Sequence, residues 1–505
     1  MEPIYGIDLG TTNSCIATIG EDGLPTVIKN LEGKNTTPSV VFYEDEDGVF
    51  VGEEAKYSMN GEPERSVAFI KREMSKPGYT RDIDGQIVTP VDASALILKK
   101  VFDDANQQLS EDGKDPIKKA VVTVPAYFGN MERELTKQAA QIAGIEILDL
   151  LNEPTAAALN YGTKGLEGKT FMIYDLGGGT FDVSIMRMKN GVLDTLSTDG
   201  DHQLGGIDWD ISLLDYALLT CGLDITYNDI KDERDAGKML NDVEQCKKRL
   251  SKNDKAMFKF VYKRKQYTCE VSRSLFEEIT ADLLNKTINI VNHAINISRD
   301  PSANIDEIIL VGGSSYMPMV KEKLKKIFSC PIRLDNLEPD LAVAKGAALH
   351  ASRLAGDKTT SVEIGNDMGS RSYGILCIDC NDKNKFFVSN IILRTDDLIH
   401  DSKHTFETAF DGQTSVNISI YENKMTEKYV NPDLCTLVRS GDINWGYGVP
   451  AHTTVSVVVS RSSDSTVKIW CECQGVKIDF ELDYKGMYSD EEIEKKRKLL
   501  ATKIV

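Results

Sequence analysis

The chain has 505 residues, 41% of them hydrophobic, and its 59 Lys and Arg face 78 Asp and Glu for a net charge of −19. This length accommodates about three or four domains with sizeable cores, which excludes a disordered chain. The acidic balance repels phosphate backbones and anionic membranes, so nucleic acid and membrane are both excluded as partners.

The start, Met1-Glu2-Pro3-Ile4-Tyr5-Gly6, has neither a basic stretch nor an apolar leader, and no apolar run reaches spanning length. A soluble, cytoplasmic protein is expected. From residue 1 to 355 apolar strands alternate with amphipathic helices, as in Ala120–Val124 followed by the helical stretch 130–143, which reads as α/β. A Gly-rich polar linker is read over 356–370. Over 371–487 the period becomes two, with Val416, Ile418 and Ile420 alternating with Asn417 and Ser419, and Val476, Ile478, Phe480 and Leu482 alternating with Lys477, Asp479 and Glu481. That pattern predicts an antiparallel β-sandwich. In 488–505, Ser489 followed by Glu492 forms a capping box that opens a helix.

Ten cysteines are spread along the chain, with close pairs at Cys377/Cys380 and Cys471/Cys473. They read as small apolar residues on strands, reduced and structural, rather than as a zinc site. His400 and His404 would suit a metal only on a helix, and Asp401-Ser402-Lys403 between them reads as a solvated loop, so they are assigned no role.

The most informative segments are Asp8-Leu9-Gly10-Thr11-Thr12 and Asp175-Leu176-Gly177-Gly178-Gly179-Thr180, each an apolar strand ending in Asp, then glycines and hydroxyls, then another strand. Glycine lets backbone N–H groups approach phosphate oxygens, threonine adds donors, and the carboxylate orients a hydrated cation. The loops open the two halves of the α/β region, so an internal duplication with a nucleotide in the cleft is the economical arrangement. Further segments supply a lysine (Lys71), a carboxylate at a helix start (Glu153), a helical polar face (Glu244, Lys247, Ser251) and a strand ending in a glycine turn (Gly312, Gly313, Ser314).

Gly6–Ser14, Asn152–Ala158, Asp175–Val183 and Leu204-Gly205-Gly206 together resemble the ATPase domain of the DnaK-type, 70-kilodalton heat-shock chaperones, over residues 4 to 352. The resemblance implies a two-lobed, actin-like ATPase domain of duplicated ribonuclease-H-like lobes, followed by an antiparallel β-sandwich that binds extended peptide, the latter signalled by Phe406–Val416. It implies ATP or ADP with Mg2+ and K+ as cofactors, with Asp8, Asp175 and Asp182 at the metal and Glu153 supporting it. By the same resemblance Gly10, Thr11, Thr12 and Asn13 meet the phosphates from one lobe, and Gly177, Gly178, Gly179 and Thr180, with Gly205 and Gly206, from the other. Lys71 would position the attacking water, and Glu244, Lys247, Ser251, Gly312, Gly313, Ser314, Tyr316 and Asp340 would hold the adenosine. Pro125 and Arg133 match the family's relay to the linker-facing surface. Unfolded peptide clients, J-domain proteins and nucleotide-exchange factors are the partners implied.

The chain departs from that family at Tyr316, where an adenine-stacking arginine is usual, and at Ile207, where an acid is usual. Tyrosine can also stack. The first lobe is short between Lys71 and Pro125, the linker offers only Val362-Glu363-Ile364, and the helical lid is reduced to a stub. These features predict weak coupling between peptide and nucleotide. The alternative to a chaperone ATPase is a nucleotide-sensing module that docks one protein partner.

Overall fold

The computed structural model describes residues 4–44, 48–161, 165–230, 233–334, 338–357, 362–365, 369–379, 385–396, 401–462, 466–480 and 486–502. In the first half of the α/β region, Tyr5–Asp8, Asn13–Ile19 and Pro25–Ile28 form an antiparallel meander. Lys119–Val124 and then Glu146–Asn152 join in parallel on the other side of Tyr5–Asp8. The second half repeats the order: Thr170–Leu176, Phe181–Lys189 and Val192–Asp201 form the meander, and Glu307–Val311 then Ile332–Arg333 add in parallel beside Thr170–Leu176. Parallel neighbours need crossovers, supplied here by helices such as Pro90–Glu111, Asn130–Ile142 and Pro318–Ile327. With both faces covered, the central strands read as apolar runs, and Phe171, Met172, Ile173 and Tyr174 are all fully buried.

Small residues join the halves. The helices Glu153–Tyr161 and Ala342–Leu354 are rich in alanine, and Gly346 passes so close that a Cβ there would lie 1.7 Å from the Ala156 carbonyl oxygen. A Cβ on Gly6, in the first strand, would lie 2.1 Å from the Ala348 backbone nitrogen. One apolar cluster therefore runs from Val121 and Leu151 through Ala156 and Ala347 to Ile173 and Ile309.

Beyond residue 371 every strand pairing is antiparallel. One sheet has the order Tyr429–Val430, Phe386–Ile392, Ser372–Ile378, Gln413–Asn423, Thr436–Val449, and the other Ser402–Glu407, Thr454–Arg461, Val467–Cys473, Val476–Phe480. Ile418 and Ile420 point into the core as their period of two requires, together with Val457, Ile469 and Cys471. Leu482, Glu481, Cys380 and His400 lie outside the described residues. His404 differs from expectation: it belongs to the strand Ser402–Glu407, because Lys403, Thr405 and Glu407 are exposed and alternate with half-buried Ser402, His404 and Phe406.

The segment read as a linker is also structured where it is described. Glu363–Ile364 pairs in parallel with Val192–Leu193 as the edge strand of the second sheet, Glu363 N–H donating to the Gly191 carbonyl at 2.8 Å and Gly365 N–H to Leu193 at 2.9 Å. Val362 is buried beside it. An open sheet edge presents unpaired backbone groups, and a short β-branched segment satisfies them.

The β-region docks on the first half through one continuous apolar cluster that includes Tyr127, Phe128, Tyr373 and Ile391. The Ser370 hydroxyl donates to the Phe128 carbonyl at 2.8 Å, Val467 N–H donates to the Asn130 side chain at 2.9 Å, and the Arg394 guanidinium donates to the Thr198 carbonyl at 2.5 Å. The capping box forms as read, and the helix Asp490–Thr502 that it opens lies on the first half, where Asp92 accepts from Tyr488 at 2.8 Å and pairs with Lys496 at 2.7 Å. Among the described residues no helix is long and apolar enough to cross a membrane.

Gly346 is the packing position with least slack. Overpacking against fixed backbone costs about 1–3 kcal/mol or more, so Gly346→Ala is expected to lower the thermal midpoint by several degrees in scanning calorimetry. Gly61→Ala, whose Cβ would meet nothing closer than 3.6 Å, should leave it unchanged.

Candidate functional site

Both meanders begin with a strand that carries an aspartate at its exit, Asp8 as the last residue of Tyr5–Asp8 and Asp175 as the last but one of Thr170–Leu176, so the repeated topology brings the two to the same end of their sheets. The loops that follow touch each other. A Cβ on Gly178 would lie 2.0 Å from Thr12 Oγ1, and one on Gly179 would lie 2.3 Å from Thr11 Cγ2. Gly10 is equally constrained, 2.0 Å from the Asn13 carbonyl. Gly177 N–H donates to the Thr180 carbonyl at 3.0 Å, and the Gly206 and Ile207 N–H groups donate to Gly177 and Gly178 at 3.0 and 2.8 Å. Gly205 packs against Gly179 with no space for a side chain.

Between the loops the charges crowd. Asp175 and Asp182 face each other across adjacent strands, Asp8 accepts from the Thr123 hydroxyl at 3.3 Å, and Glu153 opens a helix and pairs with buried Lys71. Burial pushes the Asp8 carboxyl up to about 7, helped by the Glu153 charge and opposed by Lys71. Burial also lifts Asp175 and Asp182 well above the usual carboxylate range, and the Glu153 charge adds to both. For Lys71, burial works against the charged form, but the Glu153 and Asp8 charges outweigh it and the ammonium is held. Carboxylates in this arrangement exceed the single lysine among them, and a divalent cation relieves their repulsion.

Two buried side-chain oxygens here, Thr12 Oγ1 and Asp182 Oδ1, have no hydrogen-bond partner. Buried polar atoms are normally paired. The orphaned oxygens, the glycine cradle and the excess of carboxylates fit a polyphosphate with its cation.

The residues read as holding adenosine fall on three elements. Gly312 has φ 80° and lies against Asp175, Gly313 lies against Asp340, and a Cβ on Gly206 would be 2.3 Å from the Ser314 hydroxyl. Lys247 is buried and occupied, donating to Asp210 and to the Gly206 carbonyl, both at 2.7 Å. Glu244 pairs with Lys248 at 2.9 Å and with Lys56 of the first half at 3.7 Å. The Ser251 hydroxyl turns back to the Lys247 carbonyl at 3.3 Å, whereas Tyr316 is 45% exposed and Asn13 is exposed at the start of its strand. Arg133 is buried and donates to the Phe128 carbonyl at 3.2 Å.

Sequence reasoning missed Asp210, Arg72 and Asp208. Asp210 carried a signal, since it follows Gly206 by one helical turn and a buried Lys247 requires a carboxylate partner. Arg72 and Asp208 carried none, because each owes its place to the approach of the two halves.

Comparison with known proteins gives one family. The chain matches the Hsp70 protein family over residues 4–84 and 75–495. It is 39% identical over 436 residues to the chaperone protein DnaK of Thermotoga petrophila, covering 84% of this chain and 71% of that protein. The DnaK proteins of Thermotoga maritima and Thermotoga sp. strain RQ2 match with the same identity and coverage.

The raised carboxyls would make any binding of a cation here proton-linked. A carboxyl near 7 in the folded protein and near 3.8 when unfolded binds more protons folded, so the cation-free protein loses stability as pH rises from about 4 to about 7. A divalent cation displaces that proton. Mg2+ titrated into nucleotide-free protein should therefore bind roughly tenfold more tightly at pH 8 than at pH 6, and calorimetric affinities that do not change with pH would contradict this.

Proposed function

The chain belongs to the Hsp70 family, and from that premise we propose that it is a chaperone that binds and hydrolyses ATP with Mg2+ and holds extended peptide in its β-region. The domains proposed are a two-lobed, actin-like ATPase over residues 1–355, a linker over 356–370, a peptide-binding β-sandwich over 371–487 and the start of a helix over 488–505. The repeated strand order supports the first of these. The observation that carries the reading is the contact between the Asp8–Thr12 and Asp175–Thr180 loops over a buried group of carboxylates with one lysine.

In this reading the Gly177–Gly179 backbone, Thr11, Thr12 and Thr180 hold the phosphates, and Asp8, Asp175 and Asp182 orient the cation's water shell, with Glu153 behind them. Mg2+ held there would supply charge neutralisation to the phosphates. Lys71, fixed by Glu153, holds its charge and its N–H donors where water attacks and where negative charge develops. Such chemistry depends on positioning and electrostatics more than on a strong base.

Peptide binding is supported by the sheet that carries Ser372–Ile378 and Phe386–Ile392. Ile378, Phe386, Tyr429, Leu434 and Leu437 are all exposed on or beside it, and Tyr429 meets Phe387 edge-on with centroids 5.3 Å apart. An extended apolar peptide suits such a surface, since the backbone gives affinity and alternate side chains give selection. J-domain proteins and nucleotide-exchange factors are the co-chaperones this family reading implies. The pairing of Glu363–Ile364 with Val192–Leu193 supports Val362-Glu363-Ile364 as the candidate element through which nucleotide and peptide would be coupled.

Two measurements test the proposal. Lys71→Ala should slow single-turnover ATP hydrolysis by roughly 10²-fold while nucleotide affinity stays within a few-fold; unchanged turnover would make Lys71 structural. Fluorescent apolar peptides of several sequences should bind with dissociation constants that differ between ADP and ATP. Binding to one protein partner and to no peptide would favour the docking-module reading instead.

A further inference from the structure

Lys71 and Arg72 are adjacent on the short 3-10 helix Ile70–Glu73, yet their side chains do different things. Lys71 is buried on Glu153. Arg72 crosses to the second half, where its Nε donates to the Gly179 carbonyl at 2.6 Å and its Nη2 to Asp208 at 2.5 Å. The same Asp208 oxygen accepts from Gly205 N–H at 2.7 Å, closing the start of the helix Gly206–Thr220. That helix start holds the loop in turn, through the Gly206 and Ile207 N–H groups on the Gly177 and Gly178 carbonyls. One guanidinium thus grips the phosphate loop at Gly179 and, through Asp208, the helix end that supports it.

Other features agree with this arrangement. Phe69, which leads into the short helix, adopts a left-handed conformation with φ 57°, costly for an aromatic residue and found where surrounding structure enforces it. The pairing is largely shielded, with the Arg72 and Asp208 side chains 14% and 23% exposed, so salt screens it less than a surface pair. Its fork geometry, one donor to a carbonyl and another to a carboxylate, cannot be reproduced by lysine's single ammonium.

We propose that Arg72 is a positioning residue that staples the short helix Ile70–Glu73 of the first half to the Gly177–Gly179 loop of the second across the cleft, and thereby sets how long nucleotide stays bound. The proposal rests on the reading of the cleft as an ATP site. Arg72 acts through Gly179 and Asp208, and Lys71 keeps the chemistry.

The test is stopped-flow release of a fluorescent ADP analogue, loaded with Mg2+, from wild type, Arg72→Ala, Arg72→Lys, Asp208→Asn and the Arg72→Ala/Asp208→Asn double variant. Loss of a shielded charge-assisted fork should speed release from Arg72→Ala roughly tenfold or more. Asp208→Asn, which keeps the Arg72 contact to Gly179, should speed it less, and the double variant should be accelerated by less than the product of the two single effects, since the two residues share one contact. Arg72→Lys, the mildest change for folding, should fall closer to Arg72→Ala than to wild type. Single-turnover hydrolysis in Arg72→Ala should change less than release does. Release from Arg72→Ala at the wild-type rate overturns the proposal. So does fast release from Arg72→Ala with fully independent, multiplicative acceleration by Asp208→Asn, because the two residues would then not act through their shared contact. Wild-type protein that binds no nucleotide would overturn the ATP reading and this proposal with it, whereas the other negative results leave the ATP reading standing.

Discussion

The structure depends on a buried group of like charges. Asp8, Asp175, Asp182 and Glu153 gather where the two sheets end, with Lys71 as their cation. Burial and the neighbouring charges drive the Asp8, Asp175 and Asp182 carboxyls toward the protonated form, and one lysine does not offset this. A site of this kind costs stability on its own and regains it with a cation and a ligand that satisfies the orphaned oxygens of Thr12 and Asp182. The rest of the α/β region holds that group in place: paired meanders present the aspartates, and the alanine-rich helices let the halves approach.

Close approach is the second constraint, and glycine supplies it. Gly178 and Gly179 touch Thr12 and Thr11, Gly205 touches Gly179, and Gly206 touches Ser314. A methyl group at any of these positions would push the loops apart or fill the space a phosphate would take. The same principle operates far from the cleft, where Gly346 meets Ala156. Small residues thus do one job in two places, setting the distance between backbones that cannot yield.

The β-region and the α/β region share their surfaces extensively. Val362–Gly365 extends the second sheet, Arg394 reaches Thr198, and Asp92 gathers Tyr488 and Lys496. Asp92 also accepts from Thr89 N–H at 3.1 Å at the start of the helix Pro90–Glu111, so one carboxylate both caps a helix and anchors the C-terminal one. Contacts of this kind are polar, as contacts between domains of one chain commonly are. The apolar cluster beneath them favours the docked arrangement.

Much of this was legible in the sequence because it is local. The Asp-Gly-Thr loops, the period-two strands around Ile418 and Ile420, and the Ser489/Glu492 capping box are patterns a few residues long whose physics does not need a partner. Glycines, threonines and an aspartate repeated in two loops pointed to an expected phosphate site, and the recurrence of those loops at the start of each half pointed to a duplication. The Ser402–Lys403 stretch misled because short polar runs resemble loops until a neighbouring strand, here Thr454–Arg461, supplies hydrogen bonds. Within the segment read as a linker, Glu363–Ile364 becomes a strand only when the edge at Val192–Leu193 is presented to it, a pairing that the local sequence does not signal. Arg72 and Asp208, the Lys247–Asp210 pair and the Asp92–Lys496 anchor join residues far apart in the chain. By itself the sequence determined the elements, the loop chemistry and which residues carry charge; the tertiary structure decided which charges meet, because that depends on how closely the two halves and the β-region approach.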